Sequence, residues 1–246
     1  MAKLDGKVAI VTGASRGIGK AITQRLTQDG AAVVINYGRS ADEAEELVSS
    51  IESQGGKALA VQADMSQVAD IRRLFQETMN KFGQLDILVN NAGIAKAALI
   101  AEVTEEDFDA VYAVNVRGVL FALQEAARHI NDNGRIVIIS STTSVYPSPG
   151  LAVYASSKAA VKLFTEILAA EVGGRGITVN SVLPGPTTPG MFEKRSIEEQ
   201  QAAAKSSPFN RIGRGEDIAD VVAFLASVES RWITGQHIVA NGGAKI

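Results

Sequence analysis

Short runs of aliphatic and β-branched residues alternate with longer stretches of helical apolar spacing along almost the whole chain, and few architectures satisfy that alternation. Residues 7–12, Lys-Val-Ala-Ile-Val-Thr, read as a strand buried on both faces, because the apolar run between its ends is unbroken. Helical spacing follows over residues 18–29, then a second buried strand over 31–36. The unit repeats as helix 41–53, strand 58–62, helix 68–82, strand 85–89, a long helix 107–130 and strand 135–140. Helix 152–172, strand 177–182, helix 216–226 and strand 236–240 complete it. This order predicts a parallel sheet covered by helices on both faces, a doubly wound α/β fold of Rossmann type. No linker or repeat interrupts it, so residues 1–246 read as one domain.

One stretch departs from the pattern. Residues 184–190, Pro-Gly-Pro-Thr-Thr-Pro-Gly, are expected to be neither helix nor central strand. They follow the C-terminal end of a strand, where ligands sit in such sheets. The polar, weakly helical residues after them suggest a mobile lid over about 187–206.

Composition narrows the chemistry. A net charge of −3 with no run of Lys and Arg offers nothing to attract nucleic acid. The absence of cysteine removes thiol nucleophiles, disulfides and thiolate metal sites. The first residues lack the apolar core of a signal peptide and no apolar run approaches the ~18 residues of a membrane span, so a soluble, cytoplasmic protein is expected. The two histidines, His129 and His237, stand far apart with no carboxylate motif around either; neither is read as catalytic, and no metal site is expected.

Two local patterns carry chemistry. Thr12-Gly-Ala-Ser-Arg-Gly-Ile-Gly19 lies between the first strand and the first helix, where backbone N–H groups and the helix dipole can hold a pyrophosphate. Gly13, Gly17 and Gly19 permit the tight turn and a close approach, and Ser15, Arg16 and Ile18 complete the site. The second strand ends in Asn36-Tyr-Gly-Arg-Ser40, without the carboxylate that would bind a ribose 2′-hydroxyl. Arg39 and Arg16, with Ser40, suit a 2′-phosphate instead, which predicts NADP(H). The other pattern is Tyr154-Ala-Ser-Ser-Lys158, whose four-residue spacing puts both side chains on one helix face. A neighbouring ammonium is expected to lower the phenol pKa from about 10 and make Tyr154 a general acid and base.

Taken in order, Thr12-Gly13…Gly17-x-Gly19, Asp64, Asn90-Asn-Ala-Gly93, Asn115, Ser141, Tyr154-x-x-x-Lys158 and Pro184-Gly185 resemble the short-chain dehydrogenase/reductase family over essentially the whole chain. The resemblance implies a seven-stranded, mainly parallel sheet and a homotetramer. It implies that Tyr154 exchanges a proton with the carbonyl or alcohol oxygen and that Lys158 tunes it while holding the nicotinamide ribose. Ser141, thirteen residues before Tyr154, would hydrogen-bond the substrate oxygen, and Asn115 would anchor a proton-relaying water. Asp64 and Met65 would touch adenine, Asn91, Ala92 and Gly93 the adenosine ribose side, and Pro184, Gly185 and Thr187 the nicotinamide end. The family's carboxamide-binding Thr falls on Pro189 here, so either Thr187 or Thr188 substitutes or the contact is lost.

The implied activity is NADPH-dependent reduction of a ketone or aldehyde. A 3-oxoacyl-[acyl-carrier-protein] reductase is the alternative, and a non-catalytic NADPH-binding protein a remote one. Docking an acidic carrier needs basic residues; Arg175 is suitably placed, whereas residues 131–134, Asn-Asp-Asn-Gly, supply none. Ala113, Val116, Val119 and Ala122, with Ala159, Ala160 and Ala169, leave apolar or small residues on more than one helix face, as self-association requires. Tyr146, Pro147 and Met191 suggest an apolar pocket wall, and residues 143–151, 187–205 and 94–99 the segments that shape specificity.

Overall fold

The computed structural model describes residues 3–244. Seven strands, β1 (Val8–Val11), β2 (Ala32–Tyr37), β3 (Lys57–Gln62), β4 (Ile87–Asn90), β5 (Arg135–Ile139), β6 (Thr178–Pro184) and β9 (His237–Ala240), form one sheet in the order β3-β2-β1-β4-β5-β6-β9. Every neighbouring pair in it is parallel. Two short strands, β7 (Thr187–Thr188) and β8 (Gly213–Arg214), pair separately.

Alternation along each strand builds two cores. Ala9, Val11, Val33, Ile35, Ile87 and Val89 point to one face, under α1 (Gly17–Gln28), α2 (Ala41–Ser53) and α8 (Gly215–Ala226). Ile10, Val34, Leu88, Ile136 and Ile138 point to the other, under α3 (Val68–Phe82), α5 (Val119–His129) and α6 (Ala152–Val172). Both faces are covered, which is why these strands are apolar at consecutive positions.

Two expectations are corrected. The predicted helix 107–130 starts earlier, at α4 (Glu105–Tyr112), where Thr104 caps it by accepting the Asp107 N–H at 3.2 Å. It is then interrupted by a π-helical stretch, Ala113–Gly118, before α5. Gly118 explains part of the path: a Cβ there would lie 2.1 Å from the Met65 carbonyl oxygen. The second correction is Pro184, which ends the central strand β6. Alternate β6 residues face β9, Ser181 donating to the Gln236 carbonyl and Gly185 to Ala240, while Val182 accepts from Ser140 on the β5 side. Pro184 faces the β5 side beyond Ile139, where β5 has ended, so no ladder bond is forfeited.

The residues expected to form a lid fold into a 3-10 turn, Met191–Lys194, and α7 (Ile197–Ser206), capped reciprocally by Ser196 and Glu199. No residue of α7 is buried. Among the described residues no helix is long and apolar enough to cross a membrane.

Candidate active site

Strand order reverses between β1 and β4: from β1 the chain builds outward to β3, and from β4 outward to β9. A crevice opens at such a point beyond the strands' C-terminal ends. The glycine-rich turn after β1 and residues 91–93 after β4 meet there. Gly13 and Gly17 have φ of +61° and +57°, which favours glycine. A Cβ on Gly19 would lie 2.3 Å from the Gly13 carbonyl oxygen and 2.6 Å from Asn91 Nδ2, so the turn closes only without it. Arg16 begins α1 without a side-chain cap, leaving first-turn N–H groups for an anion.

Side chains at the ends of β1, β2 and β4 hold this turn. Thr12 Oγ1 accepts the Asn91 and Ala92 N–H groups, both at 3.0 Å. Buried Asn36 accepts from Gly13 N–H at 3.1 Å and donates to the Ala63 carbonyl at 3.0 Å, tying the ends of β1, β2 and β3 together. Asn91 itself donates to the Thr12 and Gly13 carbonyls at 2.9 Å, so both its side-chain N–H groups belong to the turn. Ser15 is buried, whereas Ile18 and Ala92 are half-buried in the crevice.

At the end of β2, Arg39 is exposed and Ser40 half-buried with its hydroxyl uncommitted; Arg16 is exposed too. Neither arginine has an ion pair among the described residues. Asp64 is exposed after β3, its Oδ1 accepting the Ser66 N–H at 2.8 Å. Met65 is buried in the core cluster that includes Ile71 and Leu74.

The second group gathers from β5, the π-helical stretch and α6. Lys158 is 3% exposed, its Nζ donating to the Ile139 carbonyl at 2.8 Å and lying 5.8 Å from the Tyr154 ring centre. Tyr154 neighbours Ser141, whose hydroxyl partly offsets the effect of burial on the phenol and whose Oγ accepts from Thr143. The neighbours of Ser141 are committed elsewhere: Ser140 Oγ donates to the Lys158 carbonyl at 2.8 Å and Ser144 Oγ to the Ser141 carbonyl at 2.6 Å. Asn115, fully buried in the π-helical stretch, accepts the Ile94 N–H and donates to the Ile94 carbonyl, each at 2.9 Å. Its other N–H bonds Ser157 Oγ at 3.0 Å, and Ser157 donates to the Tyr154 carbonyl at 2.7 Å. Both side-chain protons of Asn115 are thus spent within the protein. Gly93 joins the two groups, since a Cβ there would lie 3.3 Å from both Asn115 Oδ1 and Lys158 Nζ.

The expected direction of the Tyr154 pKa is reversed. Burial raises it above 10, and the Ser141 hydrogen bond only partly opposes this. Burial also brings Lys158 down from 10.5 to about 8. The spacing reveals that the two groups are neighbours but not that Lys158 is buried and Tyr154 half-buried.

Thr187 is buried and its hydroxyl donates to the Gly185 carbonyl at 2.9 Å, whereas Thr188 is half-buried. Pro184 is buried, and Gly185 is pressed against Asn241, 2.7 Å from where a Cβ would stand. Pro189 and Gly190 lie against the glycine-rich turn, the Pro189 carbonyl oxygen 3.3 Å from the position of a Gly17 Cβ. Both histidines do have carboxylates: His129 meets Glu125 at 3.4 Å, and His237 bridges Ser181 at 2.6 Å and Glu166 at 2.7 Å. The first partner is four residues away on one helix; the second is brought by the fold.

An apolar cleft of about 600 Å³ adjoins Ser141 through Thr143, walled by Leu99, Ile100, Pro147 and Ala159. Neither Tyr146 nor Met191 lines it. Its rim is fixed where Ala98 donates to the Gly150 carbonyl at 2.9 Å.

The doubly wound sheet, with a glycine turn and a Ser-Tyr-Lys group meeting at its switch point, defines a dinucleotide-binding class of oxidoreductase. Residues 13–245 match the family described as enoyl-(acyl carrier protein) reductase. An uncharacterized oxidoreductase of Methylorubrum extorquens is 46% identical, covering 100% of both chains. A short-chain dehydrogenase of Burkholderia cenocepacia, solved with NADP, is 43% identical with a TM-score of 0.94 over 98% of each chain. The promiscuous reductase LugOII, described as catalysing a keto-reduction in lugdunomycin biosynthesis, is 42% identical with a TM-score of 0.92 over 98% of each chain. The chain belongs to the short-chain dehydrogenase/reductase family, oxidoreductases that use nicotinamide cofactors.

Proposed function

We propose that the protein is an NADPH-dependent carbonyl reductase that converts a ketone or aldehyde reversibly to an alcohol. The observation that carries this reading is the Tyr154 phenol, partly desolvated and neighboured by both Ser141 and Lys158. A phenol held above its ordinary pKa remains protonated at neutral pH and is a competent donor. Ser141 directs a hydroxyl at the same oxygen, and the NADP and keto-reduction of two relatives agree with the assignment.

The residues fit the cofactor, since the turn holds three glycines whose substitution would close it and offers uncapped N–H groups. Gly13, Ser15, Gly17, Ile18 and Gly19 would hold its pyrophosphate, and Arg16, Arg39 and Ser40 the 2′-phosphate. Asp64 and the backbone of Met65 would border the adenine; Ala92, Gly93, Lys158, Pro184, Gly185 and Thr187 would line the remainder. The reduced nicotinamide supplies the hydride when bound. Tyr154 delivers a proton to the carbonyl oxygen, Ser141 stabilises the charge developing there, and Lys158 and Asn115 hold the phenol's surroundings rigid.

An acyl-carrier substrate is disfavoured by Arg175, whose guanidinium bonds Asp132 at 2.8 Å and the Ala127 carbonyl at 2.7 Å and also meets the Ile130 carbonyl. Exposed Leu120, Leu163 and Ile167 on the outer helices, and Trp232 near the last strand, support a homotetramer, which light scattering would test. The decisive assay is a panel of aryl ketones, β-ketoesters, quinones and sugars with NADPH, using wild type and Tyr154→Phe. Turnover of at least one carbonyl, lost in the variant while NADPH still binds, is expected; a variant as active as wild type would sink the reading.

A further inference from the structure

Thr143 has no part in the scheme above, yet two of its groups converge on one atom. Its N–H donates to Ser141 Oγ at 3.2 Å and its hydroxyl reaches the same oxygen at 3.0 Å. A serine hydroxyl has one proton to give and two lone pairs to receive with. With both lone pairs engaged by Thr143, only the Ser141 proton is left, for the neighbouring Tyr154 oxygen to share with the substrate oxygen once a carbonyl is bound. The other end of the chain sets the same direction. The phenol also has one proton, and in the proposed reaction that proton goes to the substrate oxygen, so toward Ser141 the phenol can only accept.

We propose that Thr143 is a positioning residue that fixes Ser141 as an obligate donor, so that hydroxyl protons run one way from Thr143 through Ser141 to Tyr154 and out to the substrate carbonyl. This rests on Tyr154 as the proton donor. No other side chain does the job, because the nearby hydroxyls of Ser140 and Ser144 are spent on the Lys158 and Ser141 carbonyls. Accepting two hydrogen bonds also polarises the Ser141 O–H and strengthens the bond it donates. Once Tyr154 has given up its proton, that bond is what steadies the phenolate. Without the Thr143 hydroxyl one lone pair of Ser141 is released, and Ser141 can turn to accept the phenolic proton instead, withdrawing it from the substrate.

The experiment compares pH profiles of Thr143→Val, Thr143→Ser and Thr143→Ala with wild type on the best carbonyl of the panel, alongside Tyr154→Phe. The expected result for Val and Ala is a kcat lower by about threefold to tenfold, the worth of one neutral hydrogen bond, with the KM for NADPH unchanged. The alkaline limb of the reduction profile should move up by about half a unit, because a phenol with a weaker Ser141 bond ionises later. Thr143→Ser should restore both kcat and the limb. A wild-type limb and kcat in both Val and Ala overturns the proposal, as does a Ser variant no better than Val, which would mean that Thr143 only packs. If Tyr154→Phe stays active the underlying reading falls with it; if Tyr154→Phe is dead and Thr143→Val is normal, only the role of Thr143 falls.

Discussion

Lys158 should cost the protein stability, and removing its charge should return it. The side chain is 3% exposed, and its only hydrogen-bond partner among the described residues is the Ile139 carbonyl. Burial brings its pKa from 10.5 to about 8, which corresponds to about 3 kcal/mol against the folded state whenever the amine is charged. Lys158→Met keeps most of the stem's volume and removes that charge. It also loses the bond to Ile139, about 1 kcal/mol. The net expectation at pH 7 is a gain of about 2 kcal/mol, which is about 4–8 °C in melting temperature for a chain of this length. Between pH 8 and 10.5 the unfolded state binds more protons than the folded state, so the wild type gains stability relative to the variant as pH rises through that window. Above 10.5 the amine is neutral in both states, and the variant should become slightly the less stable. Urea melts of both proteins at pH 7, 9 and above 10.5 read this directly. A variant less stable at pH 7, or a difference that does not change with pH, would refute the reasoning. Turnover should fall at every pH, which makes Lys158 a residue retained at the expense of the fold.

Arg39→Ala should raise the KM for NADPH about tenfold or more, the worth of a charge-assisted contact, and leave that for NADH untouched; equal changes would remove the 2′-phosphate assignment. Gly19→Ala places a Cβ 2.3 Å from the Gly13 carbonyl oxygen and should abolish NADPH binding in a fluorescence titration. Ser157→Ala separates Asn115 from the Tyr154 carbonyl. It should cost about 1–3 kcal/mol in urea melts and lower kcat with little change in NADPH affinity.

The sheet was legible because strands buried on both faces leave runs such as Val8-Ala-Ile-Val and Val33-Val-Ile with no competing helical reading. The crevice was legible because glycine spacing at the first strand-to-helix turn records a steric demand that the structure displays at Gly13, Gly17 and Gly19. What was not legible depends on long-range partners. Asn91 reads as a ligand-facing residue, with no sign that Thr12 and Gly13 claim its side-chain N–H groups. Arg175 reads as a free cation until the end of α5 is seen beneath it. Nor does the spacing of Tyr154 and Lys158 contain their burial, and so the pKa direction was lost. Thr143 carried a faint signal, a hydroxyl two residues after Ser141, with nothing to separate it from Thr142 or Ser144.

The π-helical stretch between α4 and α5 has a consequence for how the chain tolerates insertions and deletions. A π turn holds one residue more than an α turn, and each residue of an α-helix advances the chain by about 100°. Deleting one residue between Ala113 and Gly118 would let α4 and α5 fuse into an uninterrupted helix, locally a better one. Because the π turn has already absorbed that extra residue, the deletion leaves Ala122, Leu123 and Ala126 in phase with the core, and the loss falls on the bulge itself, where Asn115 meets Ile94. Length in this segment is therefore set by the site and not by the core: a frame-preserving loss of a single codon there should leave the helices packed and displace Asn115.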